Sequence, residues 1–296
     1  MFCRGVQAAV QRPNRRDSPT TMPDSSARPG SPAPPLGPPS GALPAVWLDA
    51  DLDDIVASLA LDEALLEEAH EGVTTAVVVR TWMAKRPVVV VGSSSRVDQE
   101  VDRDACRQAG VPILRRPSGG ATVILGPGCL MWSVVTPHPH GVPAVERIHA
   151  AMLEPLVTAL CDRGLAVSRQ GTSDLVLALP HSAAAVTPPV PRKISGNALR
   201  VRRHGVLYHG TLLDDFDISL AERLLKHPPR EPDYRGRRPH SAFLANVGLG
   251  RQALEALVRM AFGVAADAAR ITSWSAERVE RLVRERYADA TWTDRL

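Results

Sequence analysis

The chain has 296 residues, 44% of them hydrophobic but only 4% aromatic, and a formal net charge of +3. That length supports one large domain with a mostly aliphatic core, and no run approaches the ~18 consecutive apolar residues of a membrane span. The four cysteines, Cys3, Cys106, Cys129 and Cys161, have neither metal-ligand spacing nor the density of a disulfide framework, which suits a reducing cytoplasmic setting.

Residues 1–44 carry five arginines (Arg4, Arg12, Arg15, Arg16, Arg28) against Asp17 and Asp24, so this segment holds the whole formal excess. The remaining 30 basic and 30 acidic side chains cancel, which removes the main support for nucleic-acid binding. Ten of the 26 prolines also fall in this segment, and it reads as a disordered Pro/Ser/Arg-rich tail, either inert or a targeting sequence. Residues 45–296 then read as one folded domain.

Asp53 or Asp54 caps a helix to about residue 70, with Ile55, Leu59, Leu65, Leu66 and Ala69 as an apolar stripe over Glu63, Glu67 and Glu68. Strands are expected over 76–81 and 87–91, the second running into the polar loop Gly92-Ser93-Ser94-Ser95. A short helix over 102–109 leads to a strand over 111–115. Strand-like runs at 122–125 and 130–136 follow, separated by Gly126-Pro127-Gly128, then a long helix over 144–163 stopped by Gly164. Further strands are expected at 165–169, 174–179, 192–200 and 205–213, and helices at 219–226, 251–262 and 276–287. This order predicts an α/β (α+β) fold with a mixed, largely antiparallel sheet flanked by helices.

Three glycine-bearing segments concentrate the chemistry: Arg115-Arg116-Pro117-Ser118-Gly119-Gly120, Lys193-Ile194-Ser195-Gly196-Asn197-Ala198 and His209-Gly210-Thr211-Leu212-Leu213. Two guanidinium forks beside a backbone free of Cβ atoms let peptide N–H groups approach a phosphate closely. The first segment is neither a Walker loop nor a dinucleotide fingerprint, because the required lysine and glycine spacings are missing. Lys193 on a strand with glycine three residues on has room beside it, and a lysine so placed would stabilise charge developing on an acyl phosphate. The basic run 228–240, with Arg230, Arg235, Arg237 and Arg238, reads as a solvated loop or as a docking surface for an acidic protein.

These motifs resemble those of the lipoate-protein ligase A family, within the biotin/lipoate A/B protein ligase and octanoyltransferase superfamily. RRPSGG is similar to the family's Arg-Arg-x-Ser-Gly-Gly pattern, Lys193 to Gly196 to its Lys-Ile-Ser-Gly element, and His209 to Leu213 to its His-Gly-Thr-Leu-Leu strand. Ser173-Asp174-Leu175-Val176 is similar to its Asn-Asp-Leu-Val element, and the helix start Ser58 to Leu65 and strand-loop Val88 to Ser95 also fit.

The resemblance implies a two-step ligation in which ATP and lipoate or octanoate give an acyl-AMP, and an acceptor lysine then displaces AMP. It assigns Lys193 to carbonyl and α-phosphate, and Arg115, Arg116, Ser118, Gly119 and Gly120 to the acyl and phosphate site. Asp174 would position the nucleotide or its Mg²⁺, and Gly196, Asn197, His209, Gly210 and Thr211 would shape the remaining wall. Implied partners are lipoyl domains of 2-oxoacid dehydrogenase complexes or the glycine cleavage H protein.

Two departures keep other readings open. Ala121 stands where the family has a third glycine, and Leu125 to Cys129 replaces a His-Asp-x-Gly-Asn turn. Relatives on this fold transfer octanoyl groups from acyl carrier protein without ATP through a cysteine thioester, for which Cys129 is the candidate beside the motif turn. The 45 or so residues after Gly250 read as closing helices and not as a C-terminal accessory domain, so the expectation is either a separate accessory polypeptide that completes ligation or catalysis of the acyl-transfer half reaction alone. A non-catalytic acyl-binding relative is the third reading.

Overall fold

The computed structural model describes residues 43–178, 190–265, 268 and 270–296, so the tail expected over 1–44 lies almost wholly outside the described residues. In chain order the first elements are β1 (Ala45–Leu48), α1 (Ile55–Glu71), β2 (Val77–Met83), β3 (Val88–Val91), α2 (Val97–Glu100), α3 (Arg103–Gln108), β4 (Ile113–Arg115) and β5 (Val123–Leu125). There follow β6 (Cys129–Pro137), α4 (Val145–Cys161), β7 (Val167–Gln170), β8 (Asp174–Leu177), β9 (Arg192–Arg202) and β10 (Gly205–Leu213). The last are α5 (Ser219–Leu224), α6 (His240–Phe243), α7 (Arg251–Ala261), β11 (Arg270–Ile271), α8 (Ala276–Leu282) and α9 (Ala290–Thr293).

An eight-stranded sheet runs in the order β11-β1-β2-β6-β10-β9-β8-β7, and a three-stranded sheet in the order β4-β3-β5. Pairing is antiparallel from β2 to β7 and parallel where β1 meets β2 and β11 and where β3 meets β4. The fold is therefore α/β (α+β) with a mixed, largely antiparallel sheet, as expected.

Alternation along the central strands divides the core. Val78 and Trp82 of β2, Met131 and Val135 of β6, and Leu207 and Leu213 of β10 pack towards α1 and the small sheet. Val79, Leu130, Trp132, Val134, Val206, Tyr208 and Leu212 pack on the opposite face with Leu153 and Leu156 of α4 and Leu254 and Leu257 of α7. Reading α1 as amphipathic is too simple. Its acidic side is covered by α8 and the turn after it, where Arg278 bridges Glu67 at 3.1 Å and Glu71 at 2.8 Å, and Tyr287 donates to the buried Glu63 carboxylate at 2.8 Å.

Asp54 supplies the α1 cap by accepting from Val56 N at 2.9 Å. Strands β1 and β11, which complete one edge of the large sheet, and the short helices α6 and α9 carry too few residues for a periodic signal. The helix expected over 276–287 ends as α8 at Leu282 and continues as a π-helical turn, Val283–Tyr287.

The turn between β5 and β6 requires its glycine. Gly128 has φ +77°, and a Cβ there would lie 2.1 Å from the Asp215 carbonyl oxygen. Its own carbonyl accepts from Asp214 N at 2.8 Å, joining this turn to the chain leaving β10. Gly128→Ala is expected to cost at least ~2 kcal/mol, through strain and lost turn contacts, read as a fall in the urea unfolding midpoint at constant m-value.

Candidate active site

The site starts from a row of cross-strand neighbours. Register places Arg80 of β2 opposite Ser133 of β6, Ser133 opposite His209 of β10, and His209 opposite Ala198 of β9. Paired residues share a face, so Arg80, Ser133 and His209 all point towards α1. There Asp62 receives them: Arg80 Nη1 lies 2.7 Å and Ser133 Oγ 3.0 Å from its Oδ1, and His209 Nδ1 lies 3.6 Å from its Oδ2. Burial alone would raise the Asp62 pKa, but the Arg80 guanidinium and His209 together hold it below the ordinary carboxylate value.

On the other edge of its ring, His209 Nε2 is 2.6 Å from Ser118 Oγ. Arg116 Nε donates to the same hydroxyl oxygen at 3.1 Å, so Ser118 links the arginine to the histidine ring. Ser118 is fully buried, which makes this chain a brace and not an attacking nucleophile.

Lys193 reaches the same side of the sheet through an irregularity. Asp174 pairs with Gly196 and Leu175 with Ser195, but Val176 pairs with Lys193, so β9 carries one extra residue. That bulge sends Ile194 into the core on the α4 face and turns Lys193 to the side of Gly196 and Thr211. Lys193 Nζ is 2.7 Å from Asp174 Oδ1, and Tyr234 Oη donates to Asp174 Oδ2 at 2.7 Å. Burial and the adjacent Asp174 charge raise the Tyr234 pKa, keeping its proton in place. Glycine at 196 is what admits the lysine, since a Cβ there would lie 2.8 Å from Lys193 Nζ. Gly210 does the same for Asn197, whose Oδ1 would lie 1.7 Å from an added Cβ and whose Nδ2 donates to Ser173 O at 2.7 Å.

Lys193, Asp174, Gly196 and Thr211 stand where two cavities adjoin. One, of about 190 Å³, has Leu59, Val90, Leu125 and Met131 as apolar walls and Arg116, Gly120, Asn197, His209 and Gly210 around them. The other, of about 120 Å³, is also largely apolar, with Val123, Ile124, Leu213, Phe216 and Phe243 in its walls together with Lys226, Arg230 and Arg235. A larger concavity, about 1270 Å³, lies elsewhere, between the start of α1, the β2–β3 turn and α3, and contains no residue of the three glycine-bearing segments.

Three assignments from sequence are corrected by this geometry. Arg115 does not line the site: it is completely buried and its fork is spent on the carbonyls of Gly92, Ser95 and Thr293 at 2.6 to 2.9 Å. Ser118 and Gly119 lie behind the wall, Ser118 bracing His209 and Gly119 giving its carbonyl to Arg116 Nη2 at 2.7 Å. Cys129 is fully buried opposite Leu213, and burial pushes its thiol up to about 12, so it is no nucleophile.

Asp174 takes one donor on each oxygen, Lys193 Nζ on Oδ1 and Tyr234 Oη on Oδ2, and among the described residues no group of three or more His, Cys, Asp or Glu is placed to hold a metal ion. Arg116, although charged, is also largely structural. Burial lowers it to about 10, and its fork holds the carbonyls of Val90, Gly119 and Ala121.

The 228–240 run is no free loop. Arg235 is 4% exposed and lies over the Phe243 ring at 4.7 Å, Arg238 donates to Pro191 O at 3.0 Å, and Tyr234 clasps Asp174. Sequence reasoning missed this roof, and it also missed Asp62, Arg80 and Ser133. A lone arginine and a lone aspartate, each inside an apolar run, were the available signal for the last group.

A family model described as the lipoyl protein ligase A/B catalytic domain matches residues 54–248. The chain belongs to that family. It is 32% identical over 169 residues to an Aeropyrum pernix protein provisionally named lipoate-protein ligase A, covering 57% of each chain. It is 30% identical over 186 residues to the octanoyltransferase LipM of Geobacillus kaustophilus, covering 58% of this chain and 66% of that one. The matches thus span less than two thirds of both relatives. Among solved structures, a chain from the archaeal lipoylation system of Thermoplasma acidophilum, a bi-partite lipoate protein ligase with its E2 lipoyl domain, superposes with a TM-score of 0.70 at 20% identity. That superposition covers 85% of this chain and 96% of that one, and it shows a shared fold. All four family motifs, at Arg115, Asp174, Lys193 and His209, fall inside the matched residues.

His240, in the roof, gives a pH test. Burial, with Arg235 beside it, lowers its pKa from 6.5 to about 4, against the opposing pull of Glu222. The unfolded chain therefore binds a proton that the folded chain refuses, and stability due to neutral His240 is present above pH 6.5 and lost as pH falls towards 4. Between pH 7 and pH 5 the wild type is expected to lose more unfolding free energy than His240→Gln, measured by urea titration at both pH values.

Proposed function

We propose that this chain is an ATP-dependent ligase that attaches lipoyl or octanoyl groups to the acceptor lysine of lipoyl domains through an acyl-AMP. The observation that carries this reading is Lys193: a bulge turns its amine to the meeting point of two largely apolar cavities, the second of which also carries Lys226, Arg230 and Arg235. The first suits an acyl chain, the second a triphosphate, and the amine between them suits the carbonyl and α-phosphate that react.

In the first step a carboxylate oxygen of the acid bonds to the α-phosphorus of ATP and the bond to pyrophosphate breaks. In the second the acceptor amine bonds to the acyl carbon, AMP leaves and the amine proton is lost to solvent. One donor of Lys193 is held by Asp174, leaving two N–H groups for the charge that builds on carbonyl and phosphate oxygens. Tyr234 keeps Asp174 in place, so the lysine is aimed before substrate arrives. Mg²⁺ would enter with the triphosphate, as it commonly does, screening phosphate charge.

A second reading, ATP-independent octanoyl transfer from acyl carrier protein, is favoured by the octanoyltransferase relative. It requires an accessible thiol at the junction. Cys106 and Cys129 are buried, Cys161 is exposed at the end of α4, and none of these three lines either cavity by Lys193.

Pyrophosphate exchange with octanoate or lipoate, ATP and Mg²⁺ separates the two. Lys193→Ala is expected to lower the exchange rate by ~10²–10³-fold, the usual scale for losing one preorganised donor, with unchanged circular dichroism. Absence of exchange in the wild type, together with ATP-independent transfer from octanoyl acyl carrier protein, would overturn the ligase reading. Gly196→Ala displaces only the tip of a flexible lysine. It is expected to shift stability by under ~1 kcal/mol while reducing exchange at least ~10-fold through misplacement of the amine, with thermal midpoint and exchange rate measured on one preparation.

A further inference from the structure

The buried Arg115 raises a question of its own: why a fully enclosed guanidinium is held by a segment 178 residues away. Its Nε and Nη2 donate to Thr293 O at 2.9 and 2.6 Å, and its Nη1 donates to Gly92 O and Ser95 O, each at 2.7 Å. The exchange is reciprocal, since Trp292 Nε1 donates to Arg115 O at 3.0 Å. Arg295 stacks on the Trp292 ring with its guanidinium carbon 3.9 Å from the centroid, and its Nη2 donates to Ser93 O. Residues 292, 293 and 295 thus grip two separate turns, 92–95 and 115–121.

Those two turns are the ones that shape the apolar-walled cavity. Ser93 N donates to Ser118 O at 2.8 Å, and Ser95 Oγ to Gly120 O at 3.3 Å. A Cβ on Gly92 would fall 1.9 Å from Gly120 O, so at this point the turns pack backbone against backbone. From there Ser118 braces His209, and Arg116 and Gly120 line the cavity itself. Neither Trp292 nor Arg295 lines the cavity. A pair of turns held by hydrogen bonds and rich in glycine and serine has little apolar packing of its own to keep it ordered.

We infer that Trp292, Thr293 and Arg295 form a strap that sets the conformation of both turns, so that these positioning residues govern affinity for the acyl acid without touching it. The acyl part of this inference rests on the ligase reading; the ordering of the turns does not. The residues act through hydrogen bonds with backbone carbonyls and the stacking of Arg295 on Trp292, so their loss loosens the turns and leaves the Lys193 junction intact.

The full-length chain with Trp292→Ala, Trp292→Phe or Arg295→Ala is compared with wild type by amide hydrogen exchange and by pyrophosphate exchange with octanoate. Both alanine variants are expected to speed amide exchange in 92–96 and 116–122 by ~10-fold, with β10 amides unchanged, since opening of a local unit leaves the core protected. The Michaelis constant for octanoate is expected to rise ~10-fold while that for ATP and the turnover number stay within about threefold, as befits lost ground-state positioning. Trp292→Phe, which keeps the ring but loses the donor to Arg115, is expected to fall between. Unchanged protection of the two turns in both alanine variants overturns the strap, as does loss of protection spread evenly through β10. Selective loss of turn protection in a protein whose wild type shows no pyrophosphate exchange supports the strap and counts against the ligase reading alone.

Discussion

A single buried carboxylate organises the centre of this protein. Asp62 is almost wholly shielded, and it can remain charged there because Arg80 pairs with it and Ser133 donates to it. Removing one partner of such a buried pair typically costs about 3–5 kcal/mol, because the other charge is left stranded in low dielectric. The helix that carries Asp62 is therefore locked over β2, β6 and β10 at one register. Through His209 and Ser118 the same lock extends to the RRPSGG turn, which belongs to the other sheet. A polar knot of this kind adds little net stability over well-packed aliphatic residues, but its short pairings to Asp62 Oδ1 fix the position of the helix, and the cavity wall is built on it.

The second constraint is the bulge in β9. A regular strand would have placed Ile194 in the cavity and Lys193 in the aliphatic layer below it, with an uncompensated charge in the core. One extra residue reverses both placements. Glycines at 196 and 210 then provide room on either side of the strand, one for the lysine and one for Asn197. The motif Lys-Ile-Ser-Gly-Asn is thus a description of a bulge and its two clearances as much as of a reactive group.

Much of this was legible in the chain. The long helices and central strands carried strong periodicity. The glycine-flanked Lys193, His209 and Gly120 were identifiable as wall or junction residues, since glycine beside a polar residue in a strand marks close approach. Arg115 misled because two adjacent arginines look like a phosphate clamp from sequence, whereas Arg116 alone reaches the cavity wall. Nothing local reveals that the first donates all its bonds to carbonyls, one of them at Thr293. The 228–240 run misled for a related reason: charged composition suggests solvent, whereas stacking on Phe243 and bonding to carbonyls bury Arg235.

Composition and pattern alone determined the class of fold, the aliphatic core and the segments that carry chemistry, because these follow from local periodicity and from what each residue type can bury. Tertiary structure decided which of those residues face the cavity. That choice depends on a one-residue slip in register and on pairings between distant positions such as Asp62 with Arg80, Asp174 with Tyr234, and Arg115 with Thr293. Side-chain direction in a strand reverses with every residue, so the role of Lys193 rests on long-range pairing that its neighbours in sequence do not encode.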